Sequence, residues 1–512
     1  MRASECRGWS LLNNGLLALV IAVATLIRVY HLADMGVSFD ESFTLRMVEF
    51  SWPEMMDRIV LETQPPLFYA MLKIWLSIVG HSVLAARCLT VFWGVAGILC
   101  LYFFVKEGYW DREVSRSQNF SVAEVPALLS ALLLALSPIH IFWTQQVRMY
   151  SLPICLALLS NYLLIRALSE QSRPVLKWGL FTITAIALVY SHYFGLFVLF
   201  SMYVYAIVHQ ILNQSGQPIS NRVSGPVFSA CGVWFAWQPW LPYFLTQRNR
   251  VDHNFYLPEL SWDVLGRSIH EMWVYKGFVP SASNGLLIAQ VAFLFLLLLP
   301  LGRKRADFLI FSCASVVLLL MCSISYFSHP IITPRYLQFV WIYILAAISV
   351  VCCRSPSVIR PFAICICVGS MFYVCQRHLA WRERAAQQAG VRAAVEHFDN
   401  SRFTEDKLIS SNPMLFTSIL SYTENRQYIF NYLPASGFPF YQGTPIMKES
   451  DYLTRENIAE LASDTIWTLD ADRGSMGRVP MPETWQLRSE KVYREWFATL
   501  YLRVYIRTDA ED

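Results

Sequence analysis

The sequence predicts a polytopic α-helical membrane protein of about eleven transmembrane helices, with a small C-terminal α/β domain outside the membrane. Three observations carry that prediction. Of the 512 residues, 55% are hydrophobic and 15% are charged, whereas a soluble globular chain is about a quarter charged. Apolar runs long enough to cross a hydrocarbon core recur through the first three quarters of the chain. From Arg377 onward the sequence turns polar, with short apolar stretches between turn residues.

Taken in order, the runs are Leu11–Tyr30, Val83–Val105, Val125–Trp143, Leu152–Ile165, Trp178–Ser191, Phe194–Leu212, Val227–Leu245, Leu286–Leu301, Phe308–Phe327, Tyr336–Cys353 and Pro361–Val374. Arg2 and Arg7 precede the first run, as in a signal peptide. It has no small-residue cleavage site before Arg28 and many spans follow, so it is expected to remain as a helix. "PLFYAMLKIWLSIVG", Pro66–Gly80, is short for a span and interrupted by Lys73. It is expected to lie as an amphipathic helix in the interface.

Loop charge sets the orientation. "KEGYWDREVSR", "RALSEQSRPVLK", "GRKR" and "RSPSVIR" fall on one side with the N-terminus, which should be cytoplasmic. An odd number of spans then leaves the C-terminus extracytoplasmic, in a multi-pass protein of the cell (inner or plasma) membrane. Residues 1–375 are expected to form the membrane domain, with outer loops 31–82 and 247–285, and residues 376–512 the soluble α/β domain. In that tail, "WRERAAQQAGVRAAVEHF" has helical spacing. "KLISSN", "QYIFNY", "DTIWTLD" and "ATLYLRVYIR" read as strands, and Pro413–Tyr422 and Arg455–Ala462 as helices. A net charge of +4 spread over the chain leaves no nucleic-acid footprint. The twelve cysteines lie at or before Cys375 without a CxxC or zinc spacing, and read as small core residues.

The outer ends of the spans gather ionisable groups. The first outer loop carries Asp40, Glu41, Arg46, Glu62 and Gln64; "SPIHIFWTQQVRMYS" brings His140, Gln145, Gln146, Arg148 and Tyr150. "SHYFG" adds His192 and Tyr193, and "SHPIITPRYL" adds His329, Arg335 and Tyr336. Arginine and tyrosine at helix ends often anchor to headgroups, but anchoring does not call for histidines and paired acids. A wet site at that end fits the whole set. Arg148 and Arg335 are candidates for phosphate, which a guanidinium binds through two parallel hydrogen bonds. Two prolines after Gln64 fix the backbone between Glu62 and the helix carrying Tyr69. Glu62 and His192 are candidate ligands for a divalent metal, as is His140, with no spacing that supports them as a set.

"FDES", "QPPLFY", "SPIHIFWTQQVRMYSL", "SHYFGLF" and "PRYL" occur in an order that resembles the C-type membrane glycosyltransferases. These polyprenyl-phosphate-sugar-dependent enzymes are related to the protein O-mannosyltransferases and the lipid A aminoarabinose transferase. The resemblance covers roughly residues 10–375; in the tail only a Trp-Arg helix, "AWRERA", matches. It implies the C-type glycosyltransferase fold, a lipid-linked sugar donor, and a protein or glycolipid acceptor. It also implies inverting transfer of a hexose or pentose to a hydroxyl, amine or phosphate group on the outer face. Relatives often read Gln-Glu-Ala-Arg-Met-Tyr where this chain has Gln145 to Tyr150, so Gln146 stands where they carry an acid.

Transfer to an alcohol needs a base beside the acceptor, and the leaving lipid phosphate needs its charge compensated. By resemblance Asp40 is the base. Glu41 faces another way and either orients the acceptor or holds a loop hydrogen bond. Gln64, Tyr69, Arg148, Tyr150, His192, Tyr193, Arg335 and Tyr336 are expected to contact substrate. A competing reading makes Asp40 the N-cap of "ESFTLRMVEF". A transporter or lipid flippase would also need many helices, but usually sets its ionisable groups deep within the spans.

Overall fold

The computed structural model describes residues 3–109, 121–169, 173–213, 218–253, 257–275, 305–472 and 477–508. Among these, eight helices are long and apolar enough to cross a membrane, or nine if one bent pair counts as a single span. They are α1 (Ala3–Val29), α5 (Val83–Tyr109), α8 (Ser151–Ser169), α9 (Pro174–Ser191), α10 (Gly195–Asn213), α14 (Arg305–Phe327), α15 (Pro334–Arg354) and α16 (Arg360–Ala386). The bent pair is α6 (Ser121–Leu136) with α7 (Pro138–Thr144), at 63°. α15 is the central staff, buried along nearly its whole length from Leu337 to Val350.

Two expected spans come out differently, both at proline. Val125–Trp143 breaks at Ser137–Pro138, because a proline inside a helix removes a hydrogen bond and clashes with the preceding turn. Val227–Leu245 is instead α11 (Ile219–Trp237), a 3₁₀ turn at Gln238–Trp240 containing Pro239, and α12 (Leu241–His253). The expected span Leu286–Leu301 lies outside the described residues. Pro66–Gly80 forms α4 (Leu67–Val79), with Phe68, Tyr69, Leu72 and Leu76 buried and Ile74 and Ile78 exposed. Lys73 does not face away from the protein: its ammonium caps the carbonyls of Val48 and Phe50 at 2.8 and 2.6 Å.

The first loop folds into α2 (Phe39–Glu49) and α3 (Trp52–Val60), while α13 (Trp262–Val274) packs on α7 and α15. In the tail, the expected single amphipathic helix is two. α16 continues through Trp381 to Ala386, and α17 (Gly390–Ser401) follows after a break. The sheet has the order β3-β2-β1-β4-β6-β5. β1 (Lys407–Ser410), β2 (Ile429–Tyr432), β3 (Tyr452–Leu453) and β4 (Thr465–Ala471) are parallel, and β5 (Trp485–Glu495) and β6 (Ala498–Arg507) close one edge antiparallel. Val391, Val395 and Phe398 of α17 and Leu415, Phe416 and Ile419 of α18 (Pro413–Leu420) bury one face; the short α19 (Arg455–Ala459) covers the other with Ile458.

This domain grips the first loop. Tyr422 accepts from Val37 N–H at 2.6 Å, and the hydroxyls of Ser42 and Thr417 meet at 2.8 Å. Arg58 donates to the carbonyls of Pro445 and Met447, and Arg426 pairs with Glu49 at 2.9 Å. Phe497, beside the β5–β6 turn, packs on Phe39 with ring centroids 4.5 Å apart.

Candidate active site

Ser38, not Asp40, caps α2. Its hydroxyl accepts from Glu41 N–H, and the Glu41 carboxylate accepts in return from Ser38 N–H at 3.1 Å, a reciprocal capping box. The N-cap reading of Asp40 is therefore overturned. Asp40 sits in the first helical turn, where the helix dipole favours an anion, and its side chain stays 42% exposed.

Glu41 is fully buried and closed on every side. Arg87 of α5 donates to both its oxygens at 2.8 and 2.9 Å, and Val147 N–H adds a bond at 3.0 Å. The remaining Arg87 donors hold the carbonyls of Leu32, Met35 and Gly36. Of the two roles expected for Glu41, this geometry fits the one that holds loops together. One carboxylate fixes the strand-like approach to α2 and also the segment that carries Arg148.

Around Asp40 the other groups converge. Arg335, in the first turn of α15, brings a guanidinium nitrogen to 3.9 Å from the Asp40 carboxylate and lies over the Tyr336 ring. Arg148 is buried, donates to Thr44 Oγ1 at 3.1 Å and to Asp40 C=O at 3.5 Å, and keeps its Nε without a partner. Burial opposes its charge, but Asp40 foremost, then Tyr69, Tyr150 and Glu62, hold it above the ordinary arginine value. Glu62 is half-buried, and its carboxyl is held above the usual range by burial first; Arg148 and the Thr63 N–H pull the other way. The Tyr150, His192 and Tyr336 rings pack against one another at 5.6 to 6.4 Å.

His192 ends α9 and accepts from Phe194 N–H through Nδ1 at 3.1 Å. Burial, with Arg335 and Arg148 adding, pushes its imidazole down to about 3, so it is neutral. Tyr69 Oη is buried without a hydrogen-bond partner, and burial raises its pKa.

Other expected contacts are engaged elsewhere. Tyr193 donates to Gln247 and accepts from Trp240, and Gln247 in turn donates to the carbonyls of Ile59 and Gln64. Gln247 of α12 thus ties Tyr193, in the α9–α10 turn, to the Gln64 turn. The Gln64 side-chain oxygen is buried without a partner. His140 is paired with Arg28 at 2.7 Å, inside the α1–α7 contact. Gln146 Oε1 accepts from Ser38 Oγ at 2.7 Å, so this neutral amide supports the α2 cap. Among the described residues no group of three or more His, Cys, Asp or Glu is placed to hold a metal ion, and Glu62 and His192 lack the further ligands a site would need. Arg87 went unremarked in the sequence reading; a lone charge four residues into the apolar run from Val83 was its signal.

Residues 63–234 match the family model described as dolichyl-phosphate-mannose-protein mannosyltransferase. Among solved structures, ArnT from Cupriavidus metallidurans bound to undecaprenyl phosphate aligns with TM-score 0.58 at 11% identity, over 95% of this chain and 98% of that one. The same protein in its apo state aligns with TM-score 0.58 at 11% identity, over 97% and 98%. A looser match, TM-score 0.49 at 11% identity over 90% and 69%, is the archaeal oligosaccharyltransferase AglB from Archaeoglobus fulgidus in complex with an inhibitory peptide and a dolichol-phosphate. No curated protein matches the chain in sequence. The fold is that of the C-type membrane glycosyltransferases, as the sequence resemblance implied. The matched family region runs from the Gln64 turn through α9 and His192 into α11. The transporter reading finds no support in these matches.

Proposed function

We propose that this protein moves a sugar from a polyprenyl-phosphate donor to an acceptor on a protein or glycolipid, at the outer membrane face and with inversion. The observation that carries the reading is the half-exposed Asp40 carboxylate, set beside Arg335 and Arg148 where Arg148 Nε has no partner among the described residues. The acceptor group approaches the anomeric carbon from the Asp40 side, and Asp40 takes its proton as the new C–O bond forms. The bond from the anomeric carbon to the phosphate oxygen breaks on the opposite face, so one displacement inverts the centre. Arg148 and Arg335 hold the leaving lipid phosphate and its growing charge. The undecaprenyl phosphate bound by ArnT supports this class of donor. The Lys and Arg of the short loops support a cytoplasmic N-terminus and an outward-facing site.

The test is turnover by purified protein supplied with undecaprenyl-phosphate sugars and a membrane extract as acceptor source. Asp40→Asn should lower transfer about 100-fold or more with lipid-phosphate binding kept. Because Ser38 caps α2, loss of a cap cannot explain such a drop. Wild-type turnover in this variant would remove Asp40 from the mechanism.

A further inference from the structure

Two buried hydrogen-bond donors at the site have no acceptor among the described residues. Tyr69 is 2% exposed and its hydroxyl meets no partner among the described residues. His192 is also 2% exposed. Its Nδ1 accepts the Phe194 N–H at 3.1 Å, so that nitrogen carries a lone pair and the proton of the neutral ring stands on Nε2. Nε2 likewise has no partner. Leaving a buried donor unsatisfied forfeits its hydration with nothing in return. Two such donors in one cluster are expected where a ligand supplies the missing acceptors.

Their surroundings say which part of a ligand. Both groups feel the charge of Arg148, and Tyr150 neighbours both, its ring 5.9 Å from that of His192 and its hydroxyl interacting electrostatically with Tyr69. Guanidiniums are the natural partners of a phosphate dianion. Neutral single donors match the neutral oxygens of ring hydroxyls.

We propose that Tyr69 Oη and His192 Nε2 form the subsite that recognises the ring hydroxyls of the donor sugar, apart from the arginines that take its phosphate. This rests on the transfer reading above. The subsite makes Tyr69 and His192 discriminate sugar-linked lipid from bare lipid, while Arg148 and Arg335 serve both.

The experiment compares binding of undecaprenyl phosphate with binding of undecaprenyl phosphate linked to mannose, glucose, galactose or aminoarabinose. Tyr69→Phe deletes one hydroxyl, and His192→Phe keeps a flat ring without its donor. Each should weaken the best sugar-linked lipid about tenfold and leave bare undecaprenyl phosphate unchanged, which also shows that the variant is folded. His192→Gln, which restores an N–H, should recover part of the loss. Equal weakening of both lipids would make these groups phosphate or chain contacts and overturn the proposal. So would unchanged binding of both, or wild-type protein that prefers no sugar-linked lipid over the bare one. Wild-type protein that binds neither lipid would instead sink the transfer reading itself, and this subsite with it.

Discussion

The two ends of the helical bundle handle carboxylates in opposite ways. At one end, Asp307 of α14 accepts from the Tyr109 hydroxyl and from Arg354 at 2.8 Å, and Glu124 of α6 takes Tyr102 at 2.5 Å and Lys106 at 2.6 Å. Asp307 thus joins α14 to α5 and α15, Glu124 joins α6 to α5, and each is closed by its own cation. Asp307 Oδ2 and Arg354 Nη1 make no further hydrogen bond, but both belong to groups already ion-paired. At the other end, Asp40 stands 42% exposed with its cation at 3.9 Å, amid the orphaned Arg148 Nε, Tyr69 Oη and His192 Nε2. Closed pairs stabilise a fold, whereas open ones arranged around a common point await a ligand. Asp40 and Glu41 repeat the contrast within one turn of α2.

Breaking a closed pair should cost the most. Arg87→Ala strands the Glu41 carboxylate in the interior and should destabilise the protein by about 3–5 kcal/mol, read as a large drop in Tm in detergent. A near wild-type Tm would mean that the pair is not closed as described. Asp307→Asn should lower Tm while turnover per folded molecule stays near wild type; a selective loss of turnover would erase the distinction between the two ends. On the open side, Arg148→Ala or Arg335→Ala should weaken undecaprenyl-phosphate binding by about 2 kcal/mol, with poor rescue by Lys, which lacks the fork. Normal binding in both would return the arginines to headgroup anchoring.

The smallest effect concerns Glu495, beside the β5–β6 turn. Its buried carboxyl accepts from Val391 and Trp496 N–H, yet burial foremost raises it to about 7 from 4.5. The folded chain then holds this proton more tightly than the unfolded chain. Its stabilising contribution is full below about pH 4.5 and is lost as pH rises through 7. Wild type minus Glu495→Gln should therefore lose up to about 2 kcal/mol of stability between pH 5 and 8. A difference that is flat with pH would refute the assignment.

Much of this was legible in the sequence because length and composition alone mark a span. Apolar runs placed the long helices, and four of the six strands carried short apolar stretches rich in β-branched and aromatic residues. β5 did not: "WQLRSEKVYRE" exposes most of its residues on both faces, leaving no alternation to see. β3 is two residues long. The members of the site cluster could be named because ionisable groups at the ends of apolar runs stand out. Their roles could not be, since role depends on partners distant in sequence. Glu41 finds Arg87 46 residues away, and Gln146 finds Ser38 108 residues away. The competing cap reading of Asp40 falls two positions from the true cap because Ser38 and Asp40 are both good cap residues, and only the Glu41 side chain returning to Ser38 decides between them.

The grip of the C-terminal domain on the first loop has a consequence in time. The loop bearing Asp40 is synthesised long before its clamp: Val37 waits for Tyr422, 385 residues later, and Ser42 for Thr417, 375 residues later. Gly36 lies so close to Glu495 that a side chain there would collide with it, so the β5–β6 turn seals the loop last. A nascent chain therefore carries Asp40 on an unclamped segment until β5 and β6 are synthesised. Chains truncated before β5 should show α2 and α3 open to limited proteolysis, whereas the full-length chain protects them; equal protection in both would mean that the loop orders itself unaided.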